Sequence, residues 1–296
     1  MANMNEHFID EPNDLAEFLA RGGVVAHAFA NIYALSARAD AQTVGRVNLM
    51  KGRPLNQVGS FITTRPHIRG LFDWSRLPMG LSSQTVQEII DALYTAGPFG
   101  FRGPAASNIP AHMSSLDGTN RTTQIVAPGY SCPSNGFIDA CLKVAGDTAL
   151  YITSANRSRH QTGAVEEPAH YEADGLWRDF AGEPDFLIAR HRDEVGVRRN
   201  YPHHATMSTT VLAFHKLGQP DAEGRRTLIV ERHGSFHLND LQALLAQWDF
   251  GICLAPLAGR RLSQRDYPGL AKIGSRAPSQ SAVDSRCNSE FLPERP

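Results

Sequence analysis

Two short stretches carry side chains whose types and spacing suit an oxyanion. In "MKGRPLNQ", Met50 to Gln57, Lys51 and Arg53 flank a glycine ahead of Pro54. Lysine offers a compact point charge and arginine a planar fork, the two donors that phosphate oxygens accept best. Glycine lets a backbone come close to a ligand, and proline stiffens the approach. A KGR run alone also reads as a solvated turn. The second stretch, "YITSANRSRHQTG", leaves an apolar run and at once presents Thr153, Ser154 and Asn156, followed by Arg157, Arg159 and His160. On an extended segment Ser154 and Asn156 share one face. Small polar groups at a strand end, beside backbone N–H groups freed from the ladder, suit a phosphate or a ribose. The plainer alternative is an Asx or serine turn capping the next segment. Two weaker pieces follow: "ATMSTTVLAF", where Ser208 and Thr209 open a strand, and "ERHG", which sets Arg232 just ahead of Gly234.

Positioning these groups requires a sheet. "LAEFLARGG" reads as a helix from Leu15 to Arg21, capped at Asn13–Asp14 and ended by glycine. "VVAHAFANIYAL" reads as one extended core strand, and "SSQTVQEIIDALYTAG" and "PSNGFIDACLKVAGD" as helices. "TALYITSAN" is a strand, "STTVLAFHKL" and "RRTLIVERHG" form a strand pair, and "SFHLNDLQALLAQW" closes the fold as a helix. Interleaved strands and helices predict an α/β or α+β sheet domain. Residues 102–123, rich in Gly, Pro and Ser, predict a long loop or lid. Residues 256–296, rich in Ser, Pro and Arg, predict a poorly packed tail.

Composition narrows the classes. The 296 residues are 42% apolar, and 29 basic against 30 acidic side chains leave a net charge of -1. A protein that grips a nucleic-acid backbone is visibly basic, so bulk binding of that kind is disfavoured and any basic site is local. Whether nucleic acid is touched directly stays open. Cys132, Cys141, Cys253 and Cys287 lack metal-site spacing, so reduced thiols are expected. No run nears the roughly 20 apolar residues of a membrane span, and no secretory leader is evident. A soluble cytoplasmic protein without membrane partners is the expectation. The arginines of "ARHRDEVGVRRNYPHH" interleave with Asp193 and Glu194 and read as a solvated loop. His203 and His204, adjacent on an extended chain, point apart, so no transition-metal site is expected.

Together these pieces resemble the YrdC-like family, whose best-known members are threonylcarbamoyl-AMP synthases. "GGVVAHAFANIYAL" resembles the family's opening GG-VVA-PTDTVYGL, "KGRP" its lysine-glycine-arginine-proline signature, and "ITSANRS" its TSANxSG motif. "GPFGFRGPA", "MSTTV" and "VERHGSF" resemble its later segments in the same order, over roughly Asp10 to Phe250. The resemblance implies an α/β fold with an open, twisted mixed sheet around a large basic concave cleft, over residues 10–255. It implies an ATP-dependent nucleotidyltransferase that forms a carbamoyl adenylate from ATP, bicarbonate and an amine or amino acid, with Mg²⁺ sharing the phosphate charge. Lys51, Arg53, Ser154 and Asn156 would form the catalytic, nucleotide-binding tetrad. Gln57, Thr122 and Arg232 would add ATP contacts, and Asn31 and Ser208 would face the amino acid.

The departures fall on the amino-acid side. PTDT becomes "AFAN", so Asn31 stands for the hydroxyl and Ala30 for the acid; Val126 stands for an arginine, and Ile62 is nearest in register to a histidine. The final glycine of TSANxSG is Arg159. Losing an arginine–carboxylate contact in a dry site costs on the order of 2–5 kcal/mol. The expectation is therefore a carbamoyl or acyl adenylate formed on a substrate other than threonine. Two alternatives stay open: a true threonylcarbamoyl-AMP synthase serving tRNA modification, with Arg157, Arg159 or His160 replacing the clamp, or a catalytically silent nucleotide- or RNA-binding module.

Overall fold

The computed structural model describes residues 7–158, 169–180, 182–256 and 258. The tail expected from position 256 lies outside them apart from Pro256 and Ala258, as do Arg159 and His160. The chain runs β1 (His7–Phe8), α1 (Pro12–Ala20), β2 (Val24–Phe29), β3 (Ile32–Ala37), α2 (Ala41–Met50), β4 (Ser60–Ile62), α3 (Ser83–Ala96), β5 (Phe99–Pro104), β6 (Ser115–Asp117) and β7 (Asn120–Ala127). It continues through α4 (Asn135–Ala145), β8 (Leu150–Ser154), α5 (Ala173–Phe180), β9 (Phe186–Arg190), α6 (Glu194–Arg199), β10 (Val211–Gly218), β11 (Arg226–Arg232), α7 (Leu238–Leu245) and β12 (Phe250–Leu254).

The described strands make one open mixed sheet in the order β1-β9-β2-β3-β8-β4-β7-β5-β10-β11-β12, with β6 paired to β7. Alternation along each strand divides the core. Tyr151, Leu35 and Ile125 pack with Val44 and Val47 of α2, Ile89 and Leu93 of α3, and Leu241 of α7. Leu150, Ile152, Ala34, Ile62 and Val126 pack with Leu15 and Leu19 of α1 and Phe137 and Ile138 of α4. An α/β architecture follows, with helices on both faces. Helix starts obey local chemistry: Asp40 accepts from the Thr43 amide at 2.9 Å and Ser82 from the Thr85 amide at 3.0 Å. No helix among the described residues is long and apolar enough to cross a membrane.

Several elements differ from the sequence reading. The run read as one strand is the hairpin β2–β3, because Phe29 pairs Ile32 across a two-residue turn in which Ala30 takes φ 52°. Residues 102–123 are no single long loop: both ends and Ser115–Asp117 belong to the sheet, with Arg102 paired to Gln124 and Pro104 to Thr122. The first helix begins at Pro12, after Glu11, rather than at a side-chain cap on Asn13 or Asp14. The chain does not close on α7, since β12 follows and pairs β11 in parallel. The arginine-rich segment includes helix α6, with Arg192 bound to Asp10 and Arg190 to Asp174. Cys132 and Cys141 are free and buried. Cys253 is disulfide-bonded, so reduced thiols do not hold for it.

Two histidines lie in the core as neutral rings. Ser134 donates its hydroxyl proton to the Ala28 carbonyl, so it accepts from His27 Nδ1 at 2.7 Å, and His27 Nε2 accepts from Ser36 at 2.8 Å. His204 Nε2 donates to the Ala96 carbonyl at 3.0 Å. Desolvation pushes His27 down to about 3 and His204 to about 4. The unfolded chain binds these protons near pH 6.5 and the folded chain does not, so stability is full above pH 6.5 and falls as pH drops toward 4. The expected slope in that window is up to about 1.4 kcal/mol per pH unit per histidine. Urea unfolding at pH 7.5 and pH 5 checks this; equal stabilities would contradict it.

Candidate functional site

A missing length of strand opens the sheet. β4 has only three residues, pairing Ser60 with Ile152 of β8 and Phe61 with Ile125 of β7. Gln124 reaches Ser60 at the start of β4, at 2.9 Å, and beyond that start Thr153 and Ser154 of β8 and Thr122 and Thr123 of β7 have no β4 residue between them. β6 becomes the neighbour of β7 at Thr122. The resulting wedge is a cleft of about 510 Å³, lined among others by Arg53, Gln57, Ser60, Arg102, Thr122, Gln124, Ser154, Ser208 and Arg232.

The sequence-derived candidates fall into two groups. Arg53, Gln57, Thr122, Ser154, Arg232 and Ser208 line the cleft. Lys51 and Asn156 lie behind it, fully or almost fully buried. The Lys51 ammonium donates to the carbonyl oxygens of Ser154 and Asn156 and, at 3.3 Å, to Asn156 Oδ1. Ser154 Oγ in turn donates to Asn156 Oδ1 at 2.6 Å. Lys51 thus fastens the end of β8 from beneath, while Arg53, two residues on, donates to Thr153 Oγ1 at 2.8 Å. The four positions 51, 53, 154 and 156 meet in one place, two as wall and two as its support. Gly52, with φ 74°, makes the turn between them, and a Cβ there would sit 3.2 Å from the Ser158 carbonyl oxygen. That glycine serves the approach of the 158 backbone.

Asn31, expected to face a substrate, is buried at the hairpin turn, and its amide donates to the Ala205 carbonyl. It is not among the lining residues; it anchors the loop that brings Ser208 to the cleft. The same loop is held from the other side by Gly234, where a Cβ would lie 2.2 Å from the Ser208 carbonyl oxygen.

Sequence reading missed Arg102. It reaches Ser115 Oγ at 3.1 Å and Gln124 Oε1 at 3.3 Å, with Nε 2.9 Å from Glu231. The one available signal, its place in "GPFGFRGPA", did not distinguish it from a loop residue. Arg232 donates to the Thr209 carbonyl at 2.8 Å and to Thr209 Oγ1 at 3.0 Å. Burial, then the charges of Arg102 and Arg53, lower Arg232 to about 10, so it stays cationic at neutral pH. The positive charges of Arg53 and Arg102 both reach Arg232, while Glu231 pairs Arg102.

Magnesium finds little here. No Asp, Glu or His is among the described lining residues. Asp117, His215 and Glu231 bring their ligand atoms within 4.8 Å of one another. Lys216 Nζ already stands 2.6 Å from Asp117 Oδ2, and Arg102 pairs Glu231. The donor set suits cationic side chains, so no protein-held Mg²⁺ is assigned.

No family model matches the sequence, and no curated protein does. Solved structures do match. Sua5 of P. abyssi complexed with L-threonine aligns at 17% identity and TM-score 0.57, over 82% of this chain and 59% of that one. A doubly substituted form of the same protein aligns at 18% and 0.55, over 79% and 60%. A hypothetical protein from Streptococcus mutans UA159 aligns at 13% and 0.57, over 82% and 94%. The fold is therefore YrdC-like, and the chain spans about three fifths of the Sua5 structures.

The two roles separate under mutation. Lys51→Met leaves buried carbonyls without their cation and is expected to cost about 2–4 kcal/mol of stability. Arg53→Ala is expected to cost under about 1 kcal/mol and to weaken binding of an inorganic anion, with pyrophosphate as the probe, at least tenfold. Denaturation curves and calorimetric titration check the pair; equal stability losses would contradict the division.

Proposed function

We propose that the cleft binds the triphosphate of ATP and that the chain is a nucleotidyltransferase forming a carbamoyl or acyl adenylate on a substrate other than threonine. One observation carries this reading: Arg53, Arg102 and Arg232 line a single cleft with hydroxyl and amide groups and no described carboxylate. Its volume lies within the range of small-molecule sites. Guanidinium forks match phosphate oxygens in geometry as well as charge.

The chemistry follows from the charges. A carbamate oxygen, from an amine and bicarbonate, or a carboxylate oxygen bonds to the α-phosphorus. The bond from that phosphorus to the bridging oxygen breaks, and pyrophosphate leaves with the electron pair. Negative charge grows on the phosphoryl and departing oxygens, and fixed guanidiniums lower the barrier because they need no reorganisation. The step uses no covalent nucleophile. Magnesium carried on the nucleotide would supply further charge neutralisation.

A threonine-using reading draws on one observation, the L-threonine in the similar Sua5 structure. Against it, Val126 and Ile62, which stand for the family's arginine and histidine, are buried apolar residues. Pyrophosphate release with ATP, bicarbonate and a panel of amines and acids separates the readings. The proposal expects turnover on a member of the panel other than threonine, and at least a tenfold fall in ATP affinity for Arg232→Ala. Turnover on threonine alone would favour the synthase, and ATP binding without turnover on any amine or acid would favour a silent module.

A further inference from the structure

The ladder between β10 and β11 departs from regular register twice, and both departures lead to one cluster of charges. Val211 pairs Arg232 while Leu212, the next residue, pairs Val230, so Glu231 is the extra residue of a β-bulge. On a regular strand Glu231 and Arg232 would face opposite sides of the sheet. Here Arg232 lines the cleft, and Glu231 Oε2 stands 2.9 Å from Nε of Arg102, which lines it too. β10 lies between β5 and β11, so this ion pair crosses the intervening strand. The second departure falls on β10: Ala213 pairs Ile229 and Leu217 pairs Leu228, which leaves Phe214, His215 and Lys216 as extra residues.

His215 and Lys216 meet Asp117 of β6. His215 Nε2 and Lys216 Nζ each donate to Asp117 Oδ2 at 2.6 Å, and they face Glu231 Oε1 at 3.8 and 3.7 Å. The hydrogen bond from Lys216 holds the Asp117 carboxyl below the usual carboxylate range. Glu231 thus sits between Arg102 on one side and His215 with Lys216 on the other, its side chain 17% exposed. The remaining contacts of Arg102 are longer and go to neutral groups, Ser115 Oγ at 3.1 Å and Gln124 Oε1 at 3.3 Å. A guanidinium carries five N–H donors in a rigid plane, so the direction set at Nε decides where the other N–H groups point.

We infer that Glu231 is a positioning residue: it aims the Arg102 fork into the cleft and so sets how tightly an anion binds there. The inference rests on the anion-binding reading of the cleft, and the probe is pyrophosphate, titrated calorimetrically into the full chain. Two variants separate aim from charge. Glu231→Gln keeps an acceptor oxygen at the same reach and removes the charge, whereas Glu231→Asp keeps the charge and shortens the reach by one methylene. Positioning predicts an affinity within threefold of the unaltered chain for Glu231→Gln and at least fivefold weaker for Glu231→Asp. A purely electrostatic role predicts tighter binding for Glu231→Gln and no change for Glu231→Asp. In an Arg102→Ala background the two variants are expected to differ by less than twofold, because the group they aim is gone. More than threefold tighter binding in Glu231→Gln, an affinity unmoved in Glu231→Asp, an equal loss in both, or a difference that persists without Arg102 would overturn the inference and leave the anion reading standing. No binding of pyrophosphate by the unaltered chain would overturn both.

Discussion

A buried ammonium organises this molecule. Lys51 is fully buried at the end of α2, and its charge is met by the carbonyl oxygens of Ser154 and Asn156. Taking a charge out of water is costly, and only well-directed dipoles offset it. The interaction therefore has strong geometric demands. It joins segments a hundred residues apart and fixes where β8 ends. Ser158 N donates to the Lys51 carbonyl at 2.7 Å and Arg157 to the Met50 carbonyl at 2.8 Å, so the following residues are clamped to the same turn.

The cleft depends on that clamp and on the brevity of β4. A longer β4 would fill the gap between β8 and β7, and a loose β8 end would leave the gap without a wall. With both conditions met, the same face that α1 and α4 cover becomes the floor of an open site. Phe29, Ala34, Val126 and Ile152 of that core line it together with Arg53, Arg102 and Arg232. β5 and β11 hold Arg102 and Arg232, the turn after α2 holds Arg53, and Glu231 pairs Arg102.

Long amphipathic helices were legible in the sequence because periodicity and caps agree, as in Ser83–Ala96 and Asn135–Ala145. The β2–β3 turn was not, since alanine at positive φ carries no turn signal; the tertiary bond from Asn31 to Ala205 accompanies it. The glycine, proline and serine of residues 102–123 suggest a loop, yet β6 pairs β7 across residues 118–119 and β7 pairs β5. At the site, residue types identified the cationic and hydroxyl groups, yet could not separate wall from support. Lys51 and Arg53 look alike in sequence, and burial alone divides them. Arg102 was missed because its role comes from register with Gln124, a long-range fact.

Hydrogen–deuterium exchange with and without ATP tests the central claim most directly. Added protection is expected in residues 57–60, 122–124 and 153–154, the three edges of the wedge, with little change at α1 or β12. Protection confined to other segments, or none at saturating ATP, would contradict it.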